Sequence, residues 1–288
     1  METSELLKKV RQIEIKTRGL SRNIFAGEYH SAFKGRGMTF SEVREYQFGD
    51  DIRSIDWNVT ARFNHPYIKV FEEERELTAM LLVDVSGSRD FGTVNQTKRN
   101  LITEIAATLA FSAIQNKDKI GVIFFSDKIE KFIPPQKGKK HILYIIRELL
   151  DFKPESTRTD VAKVLQYFTN AIKRRCTAFL ISDFIDGEFE RAMMIANRKH
   201  DVVALQVYDP RETEIPDIGL VKLKDAETGE RLWVDTSDRR LRMAYHNWWG
   251  ENQISLQQVL AKCNVDYVSI GTDEDYVKSL MRLFKLRN

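Results

Sequence analysis

Residues 77–90 read LTAMLLVDVSGSRD. The apolar run Met80-Leu81-Leu82-Val83 stops at Asp84, and small hydroxyl residues follow at alternate positions, Ser86 and Ser88, with Gly87 between them. An uninterrupted apolar run of this kind reads as a strand buried on both faces. It ends in a loop that gathers one carboxylate and two hydroxyls. Such a loop suits a hard divalent cation, which takes several oxygen ligands and retains water.

Downstream of this loop the chain alternates between strand and helix. Residues 97–115 predict a helix with apolar residues over much of its surface, Leu101, Ile102, Ile105, Ala106, Leu109, Ala110 and Ala113. That distribution implies deep burial. Residues 119–126 (KIGVIFFS) predict a buried strand, and 128–133 a short edge strand ahead of Pro134-Pro135. Helices follow at 140–150 and 161–173, with the hydroxyl-rich loop PESTRTD at 154–160 between them. Residues 176–182 (CTAFLIS) predict a second fully buried strand, ended by Asp183, then a helix at 189–199 and a strand at 201–207. The alternation breaks at 209–236, where Val221–Leu223 and Leu232–Val234 predict the arms of a β-hairpin around Glu227-Thr228-Gly229-Glu230. A long helix over 237–263, a strand over 265–270 and a closing helix starting near Thr272 or Asp273 complete the chain.

Upstream, residues 27–76 mix both charge signs with aromatics: Phe40, Tyr46, Phe48, Trp57, Phe63, Tyr67 and Phe71 lie among Arg44, Arg53, Arg62, Asp50, Asp51 and Asp56. The expectation is β-rich irregular structure held by buried aromatics and arginine–carboxylate pairs. Acids interrupt every basic cluster, which argues against a nucleic-acid surface. Residues 4–16 predict an amphipathic helix with Leu6, Leu7, Val10 and Ile13 on one face. It suits packing on the body of the protein, and peripheral contact with a partner or membrane is the alternative. The division expected is 1–76 for the N-terminal helix and β-rich segment packed on the main domain, and 77–288 for an α/β domain with an insertion at about 209–236.

Bulk properties narrow the class. The chain has 288 residues with 45 basic and 42 acidic side chains, a net charge of only +3, too balanced to argue for nucleic acid. No run approaches the ~20 apolar residues of a membrane span, and the N-terminal stretch has no apolar signal core. The two cysteines, Cys176 and Cys263, lie far apart in apolar stretches, as expected of buried free thiols in a reducing cytoplasm. The five histidines, His30, His65, His141, His200 and His246, lack ligand spacing and read as surface or cap residues.

Strands alternating with helices imply a doubly wound, mostly parallel sheet covered on both faces. In such sheets ligands sit at the carboxyl ends of the strands, where strand order reverses. Asp84 and Asp183 each follow a predicted buried strand, so they share one edge of the sheet. The loop Thr157-Arg158-Thr159-Asp160 leads into a helix and can reach the same edge. Here the chain resembles the von Willebrand factor type A fold and its metal-ion-dependent adhesion site. The resemblance implies Asp84, Ser86, Ser88, Thr159 and Asp183 as the metal set, with Thr157 the other candidate threonine. Two carboxylates and three hydroxyls satisfy Mg²⁺ or Mn²⁺ only partly, so the ion would stay electrophilic, and a weak site can stand empty in the free protein. Arg89, directly after the loop, either opposes the cation or contacts an acidic partner.

A second resemblance covers nearly the whole chain. The run GRGMTFSEVREYQFGDDIRSIDWNVTAR at 35–62, then YIKVFEEERE and the type A-like domain, is similar to the bacterial family catalogued as domain of unknown function 58. The order Arg44, Tyr46, Gly49-Asp50-Asp51, Arg53, Ile55-Asp56-Trp57, Ala61-Arg62 carries it, with Glu214-x-Pro216, Asp225-x-Glu227-Thr228-Gly229 and Val234-Asp235-Thr236 further on. Arg53, Asp56 and Trp57 are expected to form a buried ion-pair and packing core. The resemblance implies a cytoplasmic, non-enzymatic adaptor. It would grip an acidic residue through a divalent metal, on a MoxR-type AAA+ ATPase or on its client, in chaperone-like assembly or maturation. The alternatives are a metal-dependent hydrolase using Asp84 and a structural scaffold with a vestigial metal loop. The Asp84 loop lacks the second carboxylate of an Asp-x-Asp pair, and no glycine-rich phosphate loop, HExxH helix or Ser/His/Asp order supports the hydrolase.

Overall fold

The computed structural model describes residues 39–72, 77–92, 96–185 and 187–287. The helix expected at 4–16 lies outside the described residues. The chain divides into two compact units between Leu77 and Thr78.

In the smaller unit, β1 (Thr39–Glu45) pairs antiparallel with β2 (Tyr67–Glu72). Between them lies α1 (Trp57–Phe63), a helix that the expectation of β-rich structure did not include. Asp56 starts it, its carboxylate accepting hydrogen bonds from the amides of Asn58 and Val59, as a good N-cap does. Asn64 ends it in the left-handed conformation. The Arg44 guanidinium donates to both carboxylate oxygens of Asp50, at 2.9 and 2.7 Å. Asp56 pairs with Lys69 at 3.5 Å. Arg53 and Trp57 do not join Asp56 in a buried core: Trp57 is 68 % exposed and Arg53 is exposed too. A residue at the first position of a seven-residue helix has few neighbours to cover an indole ring.

The larger unit is built on a six-stranded sheet. Its strands are β3 (Thr78–Asp84), β4 (Lys119–Phe125), β5 (Ile129–Gln136), β6 (Thr177–Ser182), β7 (Asp201–Tyr208) and β10 (Asp266–Gly271). They lie in the order β10-β7-β6-β3-β4-β5, all parallel except β5. The chain leaves β3 towards β4 and returns on its other side at β6, so the order reverses between β3 and β6. This is the doubly wound, mostly parallel arrangement expected. The edge strand β5 runs through Pro134 and Pro135 instead of stopping before them. An outer strand pairs on one side only, so a missing amide there is tolerated.

Side chains alternate across the sheet. Met80, Leu82, Ile123 and Phe125 pack with α4 (Val161–Ala171), α5 (Glu190–Lys199) and the C-terminal half of α6 (Arg239–Lys262). Leu81 and Val83 point to the other face, where α2 (Lys98–Gln115) lies beside α3 (Lys139–Asp151). The Thr108 hydroxyl meets the Tyr276 hydroxyl of α7 (Tyr276–Arg287) at 3.3 Å. Each such fully buried Leu, Ile or Phe contributes about 1.5–3 kcal/mol, so this sheet is the main source of stability in the unit. The hairpin β8 (Leu220–Lys224) and β9 (Arg231–Asp235) forms around the turn expected at Glu227-Thr228-Gly229-Glu230.

Two local expectations are corrected. The closing helix begins at Tyr276 because the Thr272 hydroxyl turns inward to Asp209 at 2.7 Å, and Asp275 accepts from the Val277 amide instead. His200 is fully buried, stacked near Phe168 with its Nδ1 3.4 Å from Cys176 Sγ. Burial, with Lys199 and Arg175 nearby, lowers its pKa to about 4, and burial raises that of Cys176 to about 12. The pair is neutral and structural. Cys176 and Cys263 are both free and buried.

Candidate functional site at the carboxyl edge of the sheet

The end of β3 brings Asp84 to the switch point, 3 % exposed. Its Oδ1 accepts from the Ser86 amide at 2.9 Å and its Oδ2 from the Ser182 hydroxyl at 2.7 Å. The turn so formed sets the Ser86 and Ser88 hydroxyls 3.2 Å apart. Asp183 follows β6 on the same edge, 7 % exposed. Its Oδ1 accepts from the Ile185 amide at 3.3 Å, and the next residue, Phe184, holds a left-handed φ of 57°. A bulky side chain adopts that conformation only where the surroundings enforce it.

The loop carrying the candidate threonines closes onto the first loop. The Gly87 amide donates to the Thr157 carbonyl at 2.9 Å. The two threonines then separate. Thr157 Oγ1 is occupied, donating to the Glu227 carbonyl at 2.5 Å. Thr159 Oγ1 is shielded from solvent and has no hydrogen-bond partner. A buried hydroxyl without a partner is costly, and this one has an oxygen not engaged by the protein.

Electrostatics point the same way. Burial, reinforced by the nearby Asp183 charge, raises the Asp84 carboxyl to about 7. Burial alone would raise Asp183 as well, but the Lys98 ammonium and hydrogen bonds, that of Ser88 among them, outweigh it and hold its pKa below the ordinary value. Two buried carboxylates that repel each other, two facing hydroxyls and one orphaned hydroxyl are hard oxygen donors, the chemistry that Mg²⁺ or Mn²⁺ takes. Among the described residues, no group of three or more His, Cys, Asp or Glu side chains gathers as a metal cage, so any cation would depend on hydroxyls.

Arg89 is buried rather than presented to a partner, while its charge does act on Asp84. It is 5 % exposed, and its guanidinium donates to the Phe152 carbonyl at 2.6 Å, at the end of α3. Burial, and then the like charge of Arg99, lower its pKa to about 10. Side-chain cations at helix C-termini satisfy orphan carbonyls in this way.

Three contributors were not read from the sequence. Lys98 Nζ lies 2.9 Å from Asp183 Oδ2 and 2.6 Å from Glu212 Oε1. A lysine opening an otherwise apolar helix, at the end where the helix dipole disfavours cations, was the available signal. Glu212, in the turn after β7, had no local signal. The hairpin turn is the third: Ala226 and Glu227 rest on Gly87 and Thr157. Beside it opens a cleft of about 680 Å³ whose floor includes Ser88 and Asp183. Its walls are largely apolar, with Ile185, Ile215, Ile218, Leu223 and Trp248 prominent, and four of these are well exposed.

The chain is similar to several known proteins. Uncharacterized protein Rv1480 of Mycobacterium tuberculosis is 29 % identical over 290 residues, covering all of this chain and 91 % of that protein. Uncharacterized protein YeaD of Bacillus subtilis is 28 % identical over 109 residues, 38 % of this chain and 25 % of that protein. Among solved structures, the conserved hypothetical protein BatB from Bacteroides thetaiotaomicron aligns at a TM-score of 0.49 and 15 % identity, over 73 % of this chain and 98 % of that one. The SpRpn10 VWA domain aligns at 0.40 and 12 % identity, over 74 % and 95 %. The model of the family described as "Protein of unknown function DUF58" matches residues 42–254. That span takes in the Arg44–Asp50 pair, the Asp84, Thr159 and Asp183 loops and the hairpin beside them, and the chain belongs to the DUF58 family.

Proposed function

We propose that this protein is a non-enzymatic adaptor that binds a protein partner through a divalent cation, Mg²⁺ or Mn²⁺. Asp84, Ser86, Ser88, Thr159 and Asp183 would hold the ion, which would offer an open position to a partner's carboxylate. The observation that carries this reading is the buried, unpartnered hydroxyl of Thr159, on a loop bonded to the Asp84 turn. The cleft beside Ser88 and Asp183 supports the second half of the reading, because its apolar walls suit a segment with large aliphatic or aromatic side chains next to an acid. Asp84 is buried under the turn rather than set in the cleft, which favours a structural ligand over a general base.

The partner proposed is a MoxR-type AAA+ ATPase or its client, in chaperone-like assembly or maturation. We assign the activity to the cytoplasm, and the two free buried thiols are consistent with that compartment. Among the described residues no helix is long and apolar enough to cross a membrane. A second reading, a scaffold whose metal loop is vestigial, is favoured by one contact: Lys98 already neutralises Asp183.

A pull-down from native extract with and without EDTA tests these readings. An AAA+ ATPase retained only with metal, and lost with Asp84→Ala, supports the adaptor. Capture indifferent to chelator favours the scaffold. Phosphoester turnover that Asp84→Ala removes would favour the hydrolase and overturn the proposal.

A further inference from the structure

One buried cation at this edge touches a proposed metal ligand directly. Lys98 is the first residue of α2 and is 1 % exposed. Burial and the partial positive charge of the helix N-terminus both oppose an ammonium there. It is retained by two carboxylates, Asp183 at 2.9 Å and Glu212 at 2.6 Å. Glu212 is fixed in turn: its Oε2 accepts from the Asp209 amide at 2.9 Å, and Asp209 Oδ2 accepts from the Thr272 hydroxyl at 2.7 Å. A chain of buried polar contacts from the ends of β7 and β10 thus holds the Lys98–Glu212 pair with its positive end against Asp183.

We propose that Lys98, anchored by Glu212, is a positioning residue that sets how strongly this site holds a divalent ion. The inference rests on the metal-site reading above. The pair as a whole is neutral, but its positive end touches one of the two carboxylates offered to the ion. It therefore withdraws negative charge from Asp183. Two consequences follow: the free protein holds the ion weakly, and a bound ion remains electron-poor and open to a partner's carboxylate. The same arrangement gives Asp183 a counter-charge when no ion is bound, so the site does not need metal to fold.

The test is Mn²⁺ affinity, read from the paramagnetic resonance of free Mn²⁺, with folding checked by circular dichroism. The variant Lys98→Met/Glu212→Gln removes the pair without changing net charge. Asp183 is then uncompensated, and Mn²⁺ should bind roughly tenfold or more tightly. Glu212→Gln alone leaves Lys98 on Asp183 with no counter-charge behind it and should weaken binding several-fold. A structural lesion would loosen the site in both variants, so tightening in one and loosening in the other separates a charge role from a packing role. Wild-type binding with equal or weaker binding in the double variant overturns this inference and leaves the metal site standing. Binding by the double variant alone supports it. If neither protein binds Mn²⁺ at millimolar concentration, both the inference and the metal-site reading fall.

Discussion

Gly87 and the carbonyl oxygen of Ala226 stand so close that a β-carbon on residue 87 would lie 2.2 Å from that oxygen. The obstacle is backbone, so it cannot rotate aside. Gly87→Ala should therefore push the hairpin turn off the Asp84 loop and cost about 1–3 kcal/mol. Urea unfolding would measure the loss. Wild-type stability in this variant would mean that the hairpin does not rest on the loop.

Thr159 and Thr157 should respond in opposite ways. Thr159→Val removes a buried hydroxyl that has no partner. Metal-free stability should hold or rise by up to about 1 kcal/mol, while Mn²⁺ affinity falls at least several-fold. Thr157→Val breaks the bond to the Glu227 carbonyl. It should cost about 1 kcal/mol of stability and leave Mn²⁺ affinity near wild type. Thermal melts with and without Mn²⁺ distinguish the two.

Asp84→Asn keeps a side chain of the same shape and removes one of two buried carboxylates that repel each other. Addition of Mg²⁺ should raise the Tm of the wild type and leave that of Asp84→Asn unchanged. An equal rise in both would place the stabilising ion elsewhere.

His200 makes stability depend on pH. Its pKa is lowered from the ordinary 6.5 to about 4, chiefly by burial. The unfolded chain therefore binds the proton first. This contribution is fully present above pH 6.5 and is lost as pH falls from 6.5 towards 4. Asp84, raised to about 7, works in the opposite direction over the same range, so the His200 share is read as a difference. Unfolding free energies of the wild type and of His200→Phe, which keeps a ring beside Phe168, compared at pH 7.5, 6 and 5, should show the variant gaining on the wild type as pH falls.

Asp56 caps α1, the one α-helix among the described residues of the smaller unit. Asp56→Ala should destabilise that unit by about 1 kcal/mol. Faster amide hydrogen exchange confined to residues 57–63 would report it, and unchanged exchange would deny the cap its role.

The sheet and its buried strands were legible in the chain because they rest on local pattern. Runs such as Met80–Val83, Val122–Phe125 and Phe179–Ile181 are apolar without interruption, and in a chain that alternates strand with helix such runs become central parallel strands. Asp84 and Asp183 were legible for the same reason, since each ends such a run. The smaller unit was less legible. Trp57–Phe63 has β-branched and aromatic residues that suit a strand, and the Asp56 cap with its contact to Lys69 tips it to helix. His200 and Thr272 were misread because a single polar residue carries no local sign of burial; Phe168, Cys176 and Asp209, which surround them, are distant in sequence.

Sequence alone determined which strands are buried and which carboxylates end them, because hydrophobic periodicity is a property of neighbours along the chain. It left Thr157 and Thr159 open, two residues apart with the same hydroxyl. Only the tertiary structure separated them, since the hairpin turn that occupies Thr157 lies 70 residues away in sequence. It alone also brought Lys98 to Asp183 and to Glu212, across 85 and 114 residues of chain. Pairing between buried charges depends on where the sheet delivers them, and no local pattern encodes that.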